Sequence, residues 1–233
     1  MLTRRPRTGL WLHEEILLLA LKDEKGTVEW QASSSYVYAL AGAVMAELLL
    51  AGRITVDHGK KKFVNLVDGQ PFGEPVIDEC LARLNTARRR RQMQDWVSRF
   101  ARLRDLKHRV AAGLCERGVL AQQEDTVLFV FHRRTYPERR PGPEQRMIER
   151  LRQAIFTDQP RVDSRTSILV SLAHGADLLC IPFAKKELRP RRKRIEQIAN
   201  GDLVGRATRQ AIEAMQAAIL VCCVMPAITA ATT

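Results

Sequence analysis

The chain has 233 residues, 45% of them apolar, enough for a sizeable buried core. Lys and Arg number 38 against 26 Asp and Glu, a formal net charge of +12 with a pI near 10.0. That balance excludes an acidic disordered tail, a collagen-like chain and a disulfide-rich secreted module, and it points to a polyanionic partner: nucleic acid, an acidic membrane surface or an acidic protein.

Met1–Arg7 is basic, but the apolar run behind it, Ile16–Leu21, is short and flanked by Glu14, Glu15, Lys22 and Asp23. It reads as a helix over Leu12–Leu21 rather than a signal peptide. A turn at Asp23–Gly26 leads to a second, Ala/Leu-rich helix over Val37–Ala51, capped by Gly52. Arg53–Val56 and Lys62–Leu66 predict a hairpin around Asp57–Gly59, and Gln70–Pro75 a loop. Val76–Leu84 predicts a helix, and Met93–Leu120 two more, the second ending at Gly118. Val119–Leu120 and Val127–Phe131 predict a second hairpin turning at Gln123–Asp125, followed by a Pro-rich basic loop over His132–Pro143. Gln145–Phe156, Arg165–Leu179 and Lys185–Ile198 carry helical periodicity. Ala211–Val224 is the most apolar stretch, but it holds Glu213 and Gln216 and falls short of a membrane span, so it reads as a core helix. The expected fold class is mainly α: a helical bundle core with surrounding amphipathic helices and two short β-hairpins. One domain is expected over residues 10–225, with a basic tail at 1–9 and a C-terminal tail at 226–233. A short internal echo, helix then Gly then strand, joins Glu47–Ile54 to Leu114–Leu120.

Chemistry is sparse. Cys80, Cys115, Cys180, Cys222 and Cys223 form no CxxC pair and no metal spacing with His, which fits buried thiols in a reducing compartment. No nucleophile elbow, phosphate-binding glycine loop or metalloprotease helix is present. His13 reads as a surface residue at a helix start. His174 and Asp177 share a helical face and form the one candidate proton-handling pair, more simply read as a structural polar pair. No catalytic residue, metal or cofactor is assigned.

Five basic clusters carry the signal: Lys60–Lys62, Arg88–Arg91, Arg99–Arg109, Arg133–Arg140 and Arg189–Arg194. Arg104 and Lys107, spaced i, i+3, project from one helical face. In the second hairpin Val127, Phe129 and Phe131 alternate with Leu128 and Val130, and Arg133, Arg134 and Tyr136 follow. An apolar edge beside cations and an aromatic ring is the pattern of an interfacial membrane anchor, and equally of a hairpin packed into a core or against a second subunit. The alternative partner is nucleic acid, through a helix-plus-wing unit with Lys60–Lys62 at the wing tip.

Six segments in order, Leu12–Gly26 (LHEEILLLALKDEKG), Ala46–Ile54 (AELLLAGRI), Val76–Glu79 (VIDE), Gln94–Val97 (QDWV), Glu116–Leu120 (ERGVL) and Leu172–Leu178 (LAHGADL), resemble the Golgi phosphoprotein 3 family. The resemblance covers roughly residues 10–225 and implies a compact, bacterial relative without the long N-terminal extension of eukaryotic members. It implies a non-catalytic peripheral membrane protein, cytoplasmic and reversibly bound to the membrane surface. The family binds phosphatidylinositol 4-phosphate in a basic pocket and acts as an adaptor for cytosolic tails of membrane proteins. By that resemblance the headgroup site falls on Trp30, Arg104 and Lys107, and the membrane hairpin on Phe129, Phe131, Arg133, Arg134 and Tyr136. Ala41 stands where the family pocket has an Arg, and Lys107 replaces a second one, so general anionic-lipid binding is expected more than strict 4-phosphate specificity. A homo-oligomer is compatible with the family pattern.

Overall fold

The computed structural model describes residues 9–21, 26–29, 35–57, 61–127 and 131–205, with Arg209, Ile212 and Glu213. For residues 125–127 and 131–133 the description is of the backbone alone. Helix α1, Leu12–Ala20, is buried along its whole length. Helix α2, Tyr36–Leu50, packs along it, and α2 is apolar on all sides because it is covered on all sides: Ala39–Leu48 are buried throughout. Helix α2 ends as its sequence echo at Leu114–Leu120 does. Gly52 and Gly118 each adopt φ +68°. The next residue's N–H reaches back five positions in each case, Arg53 to Leu48 and Val119 to Leu114, both at 2.9 Å. This is a left-handed C-cap, which glycine enters without a Cβ penalty.

After Gly52 the chain forms the antiparallel hairpin of β1 (Ile54–Val56) and β2 (Val64–Leu66), as its alternation predicts. Helix α3, Pro75–Asn85, starts where Glu74 accepts the Ile77 N–H at 2.6 Å and Pro75 occupies the first turn. Helix α4, Met93–Ala101, buries Met93, Trp96, Val97 and Phe100, a single i, i+3, i+4, i+7 stripe facing α2. Helix α5, Leu106–Glu116, follows and buries Leu106, Val110, Ala111 and Leu114.

The second hairpin differs from expectation. Strands β3 (Gln123–Val127) and β4 (Phe131–Thr135) pair antiparallel, so Gln123–Asp125 lies in a strand and the connection is at residues 128–130. Val119 and Leu120 are consumed by the cap of α5, and Leu120 makes only an isolated bridge to Glu138. The register sets Glu124 opposite Arg134, an opposite-charge pair that favours this alignment.

Helix α6, Gly142–Phe156, and α7, Ser164–Gly175, complete the body, α7 touching both α1 and α2. The periodic stretch 185–198 divides at Pro190 into α8 (Lys185–Leu188), a 3-10 turn (Arg189–Arg191) and α9 (Arg192–Ala199). The expected apolar helix Ala211–Val224 lies outside the described residues except for Ile212, which is buried, and Glu213. No described helix is long and apolar enough to cross a membrane.

The polar start of α1 is a second departure. His13 is 1% exposed rather than at the surface, and Glu14 and Glu15 are buried with it. Arg117 donates to Glu14, Arg150 to Glu15 at 2.9 Å, and Arg165 to Glu47 at 2.8 Å. A buried carboxylate is tolerable when paired and hydrogen-bonded, and the arginines of α6, α7 and the end of α5 meet that need.

Candidate membrane interface

Helix α5 begins at a sharp turn. Asp105 takes a left-handed φ of 55° there, and Arg104 before it is 97% exposed, its Nε 3.5 Å from Asp105 Oδ2. One turn on, the Lys107 ammonium lies 5.8 Å from the centre of the Tyr136 ring, within cation–π range. His108 Nδ1 and the Tyr136 hydroxyl share a 2.7 Å hydrogen bond. Arg134, exposed on β4, lies near the same ring, its charge acting on both the phenol and His108. Three basic side chains from two elements therefore converge on one tyrosine. Burial pushes His108 below the ordinary imidazole value, and the nearby charges of Lys107 and Arg134 push it further. Burial raises the Tyr136 phenol, which stays protonated and able to donate.

Tyr136 is 1% exposed, so it roots the hairpin in the core rather than standing on the hairpin's apolar edge. Its N–H donates to the Gly26 carbonyl at 2.9 Å. A Cβ on Gly26 would lie 2.1 Å from the Tyr136 and Pro137 backbone, and Gly26 has φ +56°. This contact brings the segment 26–29, which runs toward Trp30, against the base of the hairpin. Trp30 and Phe129 lie outside the described residues, and Phe131 and Arg133 are described only as backbone positions of β4. Ala41 is fully buried in α2 and offers no group to a ligand.

Elsewhere the expected chemistry is dispersed. His174 and Asp177 are both exposed, and Asp177 is the left-handed residue, φ 57°, that ends α7. The Cys180 thiol donates to the Asp177 carbonyl at 2.9 Å. Arg90 pairs with Asp57, and Arg109 and Arg83 both pair with Glu79, so parts of the basic clusters are structural. No group of His, Cys, Asp and Glu among the described residues is arranged to hold a metal ion.

A mainly α fold carrying two short hairpins, one of them rooted beside a basic helix end, defines the class. The chain matches the Golgi phosphoprotein 3 (GPP34) family over residues 12–215 and belongs to that family. It is similar to vacuolar protein sorting-associated protein 74 of Eremothecium gossypii, 28% identical over 209 residues, covering 76% of this chain and 62% of that relative. The chain thus spans somewhat less than two thirds of the relative's length.

Proposed function

We propose that this protein is a non-catalytic peripheral membrane protein that docks on anionic lipid headgroups, phosphatidylinositol 4-phosphate among them, and serves as an adaptor for membrane-protein tails. The observation that carries this reading is the convergence of Lys107, His108 and Arg134 on Tyr136, with Arg104 fully exposed one turn away. Arg104 and Lys107 grip a phosphate, Trp30 flanks it, Phe129 and Phe131 enter the bilayer, and Arg133 and Arg134 lie at the headgroups. Family membership supports the assignment, and the relative's name associates that protein with vacuolar protein sorting. Buried Ala41 removes one cation from the pocket, and a lost charged phosphate contact weakens binding by about 1.5–3 kcal/mol, so discrimination among anionic lipids is shallow.

Co-sedimentation with vesicles tests this. Vesicles containing phosphatidylinositol 4-phosphate or phosphatidylglycerol bind the protein, and neutral phosphatidylcholine vesicles do not. Each cation near an anionic leaflet contributes about 1 kcal/mol, so the double variant Arg104→Ala, Lys107→Ala binds roughly thirtyfold more weakly. Equal binding to all three vesicles, or none to any, refutes the reading. The nucleic-acid alternative loses its reading helix, because α2, ahead of the β1–β2 wing, is buried from Ala39 to Leu48. Tight DNA binding that survives physiological salt in a gel-shift titration would restore it.

A further inference from the structure

A cleft of about 820 Å³ opens at the far end of α5 from Arg104. Its floor is the start of α1, with Trp11, Glu14 and Glu15; Pro75, Gly113, Arg146 and Arg150 are among its walls. Three carboxylates around it are matched by three guanidinium groups: Glu14 by Arg117, Glu15 by Arg150 and Glu47 by Arg165. The Glu15–Arg150 pair is incompletely satisfied. It uses Oε1 and one terminal nitrogen, leaving Glu15 Oε2 and Arg150 Nε both buried without a hydrogen-bond partner. Glu15 is 3% exposed, and the other cation near Oε2 is Arg165 Nε at 3.9 Å. Glu15 and Arg150 both line the cleft, and the buried acceptor and donor of their pair lie just behind its wall, where each costs free energy until something supplies the complement.

The complement is a molecule with a cation and an anion close together. At the rim, Glu116 and Arg146 are exposed and repeat the same pair of signs. Leu10, Trp11, Pro75, Pro143 and Met147 add apolar wall, and the Trp11 ring is steadied edge-on by Phe72 at 5.3 Å. The cleft is also left open by a glycine in the middle of a helix, where glycine costs about 1 kcal/mol relative to alanine. A Cβ at Gly113 would rest on Glu14 Oε1, at 3.7 Å, so the absent side chain leaves that carboxylate uncovered from α5. We infer that this cleft binds a zwitterionic α-amino acid with an apolar side chain. Its ammonium lies against the Glu15 carboxylate, its carboxylate against the Arg150 and Arg146 guanidinium groups, and its side chain on Trp11 and Met147. This inference is independent of the membrane reading.

Isothermal titration of the full-length protein with L-leucine tests it, with leucinamide lacking the carboxylate and N-acetyl-L-leucine lacking the ammonium. L-leucine binds, and each analogue binds at least about tenfold more weakly. Glu15→Gln weakens L-leucine binding by a similar factor. Because Glu15→Gln risks the fold, Gly113→Leu provides a steric block, at a position where a Cβ makes only an ordinary contact with Glu14 Oε1. That variant melts normally, still sediments with anionic vesicles and no longer binds L-leucine. No binding by the wild-type protein up to about 10 mM, equal binding of all three compounds, or unchanged L-leucine binding by Gly113→Leu overturns the inference.

Discussion

His108 stands between Lys107 and Arg134, and both resist its protonation. A lipid phosphate arriving at the same place neutralises those cations and lifts the imidazole back toward its ordinary value. Binding and proton uptake are then linked: the bound state holds more protons, so affinity rises as pH falls through the histidine range. For folding the sign is opposite. The folded-state value lies below the unfolded one, so the free protein loses stability as pH falls through that window. Sedimentation with phosphatidylglycerol vesicles, whose charge is constant between about pH 5.5 and 7.5, measures the first effect. The wild-type protein binds more tightly at the lower pH, and His108→Gln binds with no such slope. A second residue-scale test concerns Glu47, which accepts the Leu12 N–H at 2.7 Å and the Arg165 guanidinium. Glu47→Ala strands a largely buried cation and costs about 3–5 kcal/mol in denaturant unfolding. The sequence shows the cations plainly and their partners hardly at all. Nothing local in Glu14-Glu15 says that these side chains point inward, because the arginines that stabilise them sit more than a hundred positions away.

Element boundaries set by backbone chemistry were readable. The C-terminal glycines of α2 and α5 follow from residue type and spacing, whereas Pro75, expected in the loop, opens α3 behind the Glu74 cap. The second hairpin was harder, because Val119 and Leu120 look like strand residues, yet hydrogen bonding assigns Val119 to a helix cap. The cross-strand charge register of β3 and β4 was the available signal for the true alignment. Two glycine substitutions separate conformational strain from contact. Gly52→Ala meets nothing within 4 Å and costs about 1 kcal/mol through its positive φ alone. Gly26→Ala adds a clash with the backbone at the hairpin root and costs at least about 2 kcal/mol. In calorimetry that is a loss of roughly 4–8 °C for Gly26→Ala and about half as much for Gly52→Ala. Vesicle binding falls with the first and not with the second.

At the scale of the whole molecule, a charge of +12 is spent unevenly. The arginines near α1, together with Arg83, Arg90 and Arg109, hold the fold together through carboxylates. Arg104, Lys107 and Arg134 instead gather where a hairpin leaves the body, at the opposite end of α5 from the amino-acid cleft. On the membrane reading, the start of α5 and the β3–β4 hairpin face the bilayer together. Amide hydrogen exchange, with and without vesicles containing phosphatidylinositol 4-phosphate, measures this directly. Exchange slows over residues 104–108 and 128–135 in concert and is unchanged over 185–199. Protection confined to 185–199, or none in either of the first two segments while the protein is vesicle-bound, contradicts that reading.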